Sequence, residues 1–317
     1  MKAFLAPFVL LFSSVWAAPA ARAQEGSRAV GETISMSGSL SDSGSYRSKA
    51  NDWMIMPDGS TTLGGSLRFL TAPAGTPGMD DGLAFTDVVL SSINARHAFG
   101  KRFEIFFGAS FLPKQPSFTD ERVWQNAAAG MRAGFGKRYA FHLTGSGGAL
   151  MGDRGMWGSG GAGLQARKSL HATLMVEGDL GSSWTALFEN DRSQPSWLIE
   201  ANAGGQLVFH EPHGMMGAWV GTEFHFPVAD GSVMSDAGAA PYDPQTRVSF
   251  EIGGVLSYID DWDIVAKLSV FDRGDAVNPE TTLPILDGGF DQTQIMIGLT
   301  RHFRPSKSSS RPMQLAE

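Results

Sequence analysis

The chain has 317 residues, a formal net charge of −7, 39 glycines and no cysteine. Without cysteine there are no disulfides, no thiolate metal sites and no lipid-bearing cysteine at a cleavage site. An acidic chain whose longest basic runs are two residues also lacks the positive surface that nucleic-acid phosphates require.

Lys2 is followed by an uncharged apolar stretch from Phe4 to Val15, then by Ala-rich sequence ending Ala21-Arg22-Ala23. A basic start, an apolar core and an A-x-A site predict a signal peptide over 1–23, cleaved after Ala23. The apolar core is shorter than the roughly 20 residues of a spanning helix. Residues 24–58, which include Trp53-Met54-Ile55-Met56, are expected to form an N-terminal segment that stays outside a sheet or plugs it.

From residue 59 the pattern is one of strands. FGKRFEIFFGASFL at 99–112 and FGKRYAFHLTGSGGAL at 135–150 each open with a basic turn and continue as an alternating run, and QARKSLHATLMV at 165–176 reads as a degraded third copy. In the first copy Phe103, Ile105, Phe107, Ala109 and Phe111 oppose Glu104, Gly108 and Ser110, with Phe106 out of pattern. Further runs set Leu174 and Val176 against Glu177 and Asp179, Trp197, Ile199 and Leu207 against Glu200, Asn202 and Gln206, and Val220 and Phe224 against Glu223 and His225. Phe250 and Ile252 then oppose Arg247 and Glu251, Ile264 and Leu268 oppose Asp263 and Lys267, and Ile295, Ile297 and Leu299 oppose Gln294 and Gly298. A period of two excludes helices for these runs. Weaker runs near 60–71, 84–98, 123–134, 138–150 and 156–166 bring the expectation to about twelve strands. A bulge is expected in 84–98, where Asp87 falls on the apolar side.

Short connections are expected near residues 100, 136, 167, 212 and 260, and long ones over 72–82, 113–122, 181–195, 227–245 and 272–291. Phe99, Phe103, Phe135, Tyr139, Phe209, Tyr258 and Phe303 lie at short-turn ends on the apolar parity, and Phe69, Phe85, Phe111, Trp197, Phe224 and Phe226 lie at long-loop ends. Two belts of rings are what amphipathic side chains form at two membrane–water interfaces.

On these features residues 59–303 resemble the bacterial outer-membrane β-barrel (porin-like) superfamily, down to a last strand TQIMIGLTRHF with an aromatic end at Phe303. The resemblance implies an all-β, closed antiparallel transmembrane barrel of a Gram-negative bacterium. It also implies short periplasmic turns, long extracellular loops, and outer-membrane lipids and the assembly machinery as partners. The chain departs from it in continuing past the closing aromatic, as an expected periplasmic tail over 304–317. A soluble β-sandwich would share the alternation, but its polar face would carry more charge and its apolar face no paired belts.

The inward parity then carries Glu104, Arg132, His142, Glu177, Glu200, Glu223, His225, Arg247, Glu251 and Lys267. One reading is a porin for small polar solutes or cations through an acidic-biased lumen. Another is a wall braced by paired charges, in a barrel that presents its loops to a partner. A hydrolase needs a nucleophile with a base at the outer rim, where His225 with Glu223 is the one candidate pair. His210-x-x-His213 and the aspartates at 80–81 and between 229 and 243 are weak metal motifs. No cofactor and no enzymatic activity are expected.

Overall fold

The computed structural model describes residues 55–56, 58–74, 82–100, 102–114, 124–136, 138–151, 154–210, 216–231, 246–257, 261–273, 283, 285–286 and 288–303. The expected signal peptide, residues 24–54 and the tail after Phe303 lie outside them, as do Tyr258, His213 and the aspartates at 80–81, 236 and 243.

Twelve strands form: β1 Thr61–Ala72, β2 Leu83–Phe99, β3 Phe103–Lys114, β4 Trp124–Phe135, β5 Tyr139–Ala149 and β6 Gly155–His171. They continue as β7 Leu174–Glu189, β8 Ser196–His210, β9 Met216–Gly231, β10 Arg247–Leu256, β11 Trp262–Arg273 and β12 Gln292–Phe303. Each strand pairs with its sequence neighbours, and β1 closes on β12 from Thr61 opposite Phe303 to Thr71 opposite Thr293. Closure leaves no strand with a bare row of amides, the condition for crossing hydrocarbon with strands. No helix among the described residues is long and apolar enough to cross a membrane.

The barrel is inside-out relative to a soluble protein. Leu164 and Leu180 face each other across β6 and β7, 59% and 63% exposed, whereas Glu200 and Arg247 are each 1% exposed. Apolar side chains therefore cover the outside and charges sit within. Phe99, Phe103, Phe135, Tyr139, Phe209 and Phe303 are exposed at the short-turn end, and Phe85, Trp197 and Phe226 at the other. Gly100 and Gly136 hold φ of 61° and 71° in two short turns, a region that costs a residue with a Cβ.

Three expectations need correction. The turn placed near 167 lies at 172–173, because the basic run continues β6 down to His171 and Arg167 turns inward onto Glu177. Residues 181–189, assigned to a long loop, belong to β7: Trp184 and Phe188 are exposed on the lipid side while Thr185 and Leu187 are buried within. Only 190–195 connect β7 to β8, and Glu189 ties that connection down by ion pairs to Arg192 at 2.8 Å and Arg154 at 2.5 Å. Third, β9 continues to Gly231, beyond the expected start of its loop. The expected irregularity in β2 is present: Leu70 and Ala72 of β1 face Val88 and Leu83, five positions apart, and Asp87 between them accepts a hydrogen bond from the Ala84 amide at 2.8 Å.

Because the strands tilt, a hydrogen-bonded row climbs the wall. It starts from Glu104 near the short-turn end and passes through Arg132, His142, Gly163, Gly181, Asn202 and His225. It ends at Arg247, the first residue of β10 at the long-loop end. Eight of the twelve strands thus contribute inward positions at stepped heights, and five of the ten expected lumen residues lie on this one row.

Candidate functional site: the barrel interior

All ten residues expected on the inner face are buried or half-buried; the acids, arginines and lysine are partnered, while both His225 ring nitrogens and His142 Nδ1 make no hydrogen bond among the described residues. Glu104 holds Arg96 at 2.9 Å and Arg132 at 3.4 Å. Glu177 pairs with Arg167 at 2.5 Å and accepts from the Gln206 amide. Lys267 meets Glu251 at 2.7 Å, and the same carboxylate accepts from Trp219 Nε1 at 2.9 Å. Arg247 pairs with Glu200, His225 Nε2 lies 3.5 Å from Glu223, and His142 Nδ1 lies 3.6 Å from Asp179. Buried charges persist only when paired and hydrogen-bonded. The alternation alone places each acid within one or two strands of a base.

Several inward residues were not singled out in the sequence. Arg96 lies in the irregular β2 run and Arg167 in what reads as a turn, so neither parity was legible. Arg68 donates to Ser92 Oγ at 3.3 Å and Ser110 Oγ at 3.0 Å, tying β1, β2 and β3 together. With these three bases and with Asp179 and Asp263 included, the acidic excess of the inner face narrows. Asp263 accepts from Ser257 Oγ at 2.5 Å and lies 2.6 Å from His302 Nε2, bracing β11 and the closing strand. Ser, Asp and His meet here without forming a nucleophile and its base: the hydroxyl and the imidazole both contact the carboxylate rather than each other.

Apolar clusters line part of the interior at each end. At the short-turn end Ile55 and Met56 enter the barrel and pack against Ala98 and Ala140, and the Met56 amide donates to Glu104 Oε2 at 3.1 Å. A Cβ at Gly134 would stand 2.8 Å from Ile55 Cγ1, so the inner wall is trimmed to small residues where the segment lies. On the opposite wall Met175, Val208, Trp219, Val255, Val265 and Met296 form a second apolar cluster. Trp219 lies flat over Gly253, whose Cβ would come 2.2 Å from the ring.

At the long-loop end the connection between β11 and β12 folds inward. Leu286 and Phe290 join Leu70, Val88, Leu90 and Leu112 on one wall, and Leu283 and Ile285 join Trp157, Leu187 and Leu198 on the other. Gln292 Nε2 donates to the carbonyls of Leu286 at 3.2 Å and Phe290 at 3.4 Å, and the Gly289 amide donates to the Ile285 carbonyl at 3.0 Å. Between these ends the inner face is polar and half-buried, at Arg68, Asn94, Thr144, Asp179, Asn202 and Glu223.

Among the described residues no group of three His, Asp or Glu side chains is arranged to hold a metal ion. His97 meets the Thr61 hydroxyl at 2.7 Å and the Phe99 ring edge-on at 4.4 Å between centroids, and His171 meets the Thr173 hydroxyl at 3.2 Å.

No family model matches the sequence, and no curated protein does. Solved structures do match. An outer membrane channel from Pseudomonas putida F1 is 11% identical with a TM-score of 0.50, over 80% of this chain and 98% of that one. The NanC porin is 8% identical with a TM-score of 0.47, over 76% and 98%. LpxR from Salmonella typhimurium is 9% identical with a TM-score of 0.46, over 76% and 100%. At such identities the shared property is the fold. Its closed wall, apolar outside and charged within, makes this chain a transmembrane β-barrel. Within that class it has twelve strands, a fold it shares with these outer-membrane proteins.

Proposed function

We propose that the barrel is an outer-membrane channel for small polar solutes, with at most a weak preference for cations. The observation that carries this reading is the polar, half-buried belt at mid-height. A barrel serving only as a scaffold would gain stability by filling that belt with apolar side chains, as it does in part at each end. Arg68, Arg96 and Arg167, together with Arg132, Arg247 and Lys267, offset most of the inward carboxylates, so the selectivity expected from charged rings is small. Ile55 and Met56 at one end and Leu283 to Phe290 at the other narrow the path.

The second reading, a braced barrel that presents loops, is favoured by one specific fact: all eight acids, arginines and lysines among the expected lumen residues are partnered. Planar-bilayer recording separates the two. Unitary steps, with a reversal potential that moves towards anions in Glu251→Gln, support the channel. Absence of steps at every protein concentration leaves the braced scaffold.

A further inference from the structure

Arg301 is an outward-facing charge on β12 at the short-turn end, in one row with Leu63 of β1 and Trp262 of β11. Leu63 is exposed, as are Leu299 and Ile264 in the row above, so this is the lipid side of the wall. The guanidinium carbon lies 5.5 Å from the Trp262 ring centroid and 4.9 Å from that of Phe303. Two rings thus fix the planar group by cation–π attraction. Among the described residues Arg301 makes no hydrogen bond or ion pair, so its fork of N–H donors points to the membrane interface unspent.

Beside it Leu63, and above it Leu299, Ile264 and Ile297, make an exposed apolar track running towards the middle of the membrane. A fixed cationic fork at headgroup depth, continued by an apolar track, matches a phosphodiester followed by acyl chains. The short-turn end faces the periplasm in this architecture, where the leaflet supplies glycerophospholipid. We propose that Arg301, held by Trp262 and Phe303, binds the phosphodiester of an anionic glycerophospholipid in the periplasmic leaflet. The guanidinium provides a bidentate donor pair to two phosphate oxygens, and Leu63, Leu299 and Ile264 seat the first methylenes.

The test is native mass spectrometry of the full-length mature barrel in detergent, titrated with phosphatidylglycerol, with lipid A or with inorganic phosphate. Heat-modifiable gel migration establishes that each variant is folded. The wild type is expected to retain one phosphatidylglycerol more than Arg301→Gln, with apparent affinity about fivefold higher, the size expected for one basic residue at a membrane surface. Arg301→Lys should fall between them, and Arg102→Gln, in the β2–β3 turn, should match the wild type. Equal retention by wild type and Arg301→Gln would overturn the proposal. So would preference for lipid A over phosphatidylglycerol, or displacement of the lipid by inorganic phosphate at equal concentration, which would mean that the acyl track contributes nothing.

Discussion

The Met56 amide donates to the Glu104 carboxylate across 3.1 Å, joining the segment that precedes the barrel to its inner wall 48 positions later. Glu104 is 1% exposed and already shared by Arg96 and Arg132. The chain therefore enters the lumen where a buried carboxylate still has an oxygen to offer and where Ala98, Gly134 and Ala140 leave room. Gly134→Val fills that room without touching the charges. Its expected outcome is a displaced N-terminal segment, seen as faster proteolysis near residue 55 and larger unitary conductance with unchanged heat-modifiable migration. Unaltered cleavage and conductance would show that Ile55 and Met56 do not restrict the path.

The Glu200–Arg247 pair ties β8 to β10 across the intervening β9, with both side chains 1% exposed. Removing one partner leaves the other charged in a dry wall. Glu200→Gln or Arg247→Met alone should each lower unfolding free energy by about 3 kcal/mol, the size typical of a broken buried pair. The double variant should lose far less than the sum. Urea unfolding in lipid vesicles measures the cycle, and strict additivity would mean that the two charges are stabilised independently.

Phe290 is 1% exposed and anchors the inward-folded connection against Leu70, Val88 and Leu90. Phe290→Ala should loosen this connection locally, since the strands beneath are complete. Conductance is expected to rise while the urea midpoint of the barrel stays the same. A lowered midpoint with unchanged conductance would instead mark the connection as part of the barrel's core.

The strand count, the inner and outer parities and the two ring belts were legible because a period of two is local and lipid on one side enforces it. Strand ends were less so. Trp184 and Phe188 alternate with Thr185 and Leu187, but Gly, Ser and Asp around them read as loop composition. In a barrel, closure rather than propensity keeps such residues in a strand. Arg167 was hidden for a related reason: a basic residue beside a turn is ordinary, and only its register opposite Glu177 shows that it faces inward. Apart from Ile55 and Met56, which fall in the segment expected to stay outside the sheet or plug it, the apolar ends of the lumen were not legible. Trp219 and Met296 sit on the polar parity, and what they pack against comes from the fold.

Leu180 tests which side of the wall meets hydrocarbon. It lies mid-strand on β7, opposite Leu164 on β6 and Ala203 on β8, and is 63% exposed. Three positions on, Ser183 faces the interior and donates to Asn202 Oδ1 at 3.5 Å. A guanidinium at 180 would sit in hydrocarbon, with no water and no carboxylate within reach. Leu180→Arg should therefore cost about 2–4 kcal/mol in vesicles, as basic residues at the membrane midplane do. Ser183→Arg opens onto the polar belt and should cost much less while shifting ion selectivity towards anions. Both changes require the same barrel to fold from the same neighbouring strand segment, so differences in assembly efficiency cannot mimic the contrast. If Leu180→Arg were tolerated as well as Ser183→Arg, the exposed leucines would be facing water, and the inside-out arrangement that everything else rests on would be wrong.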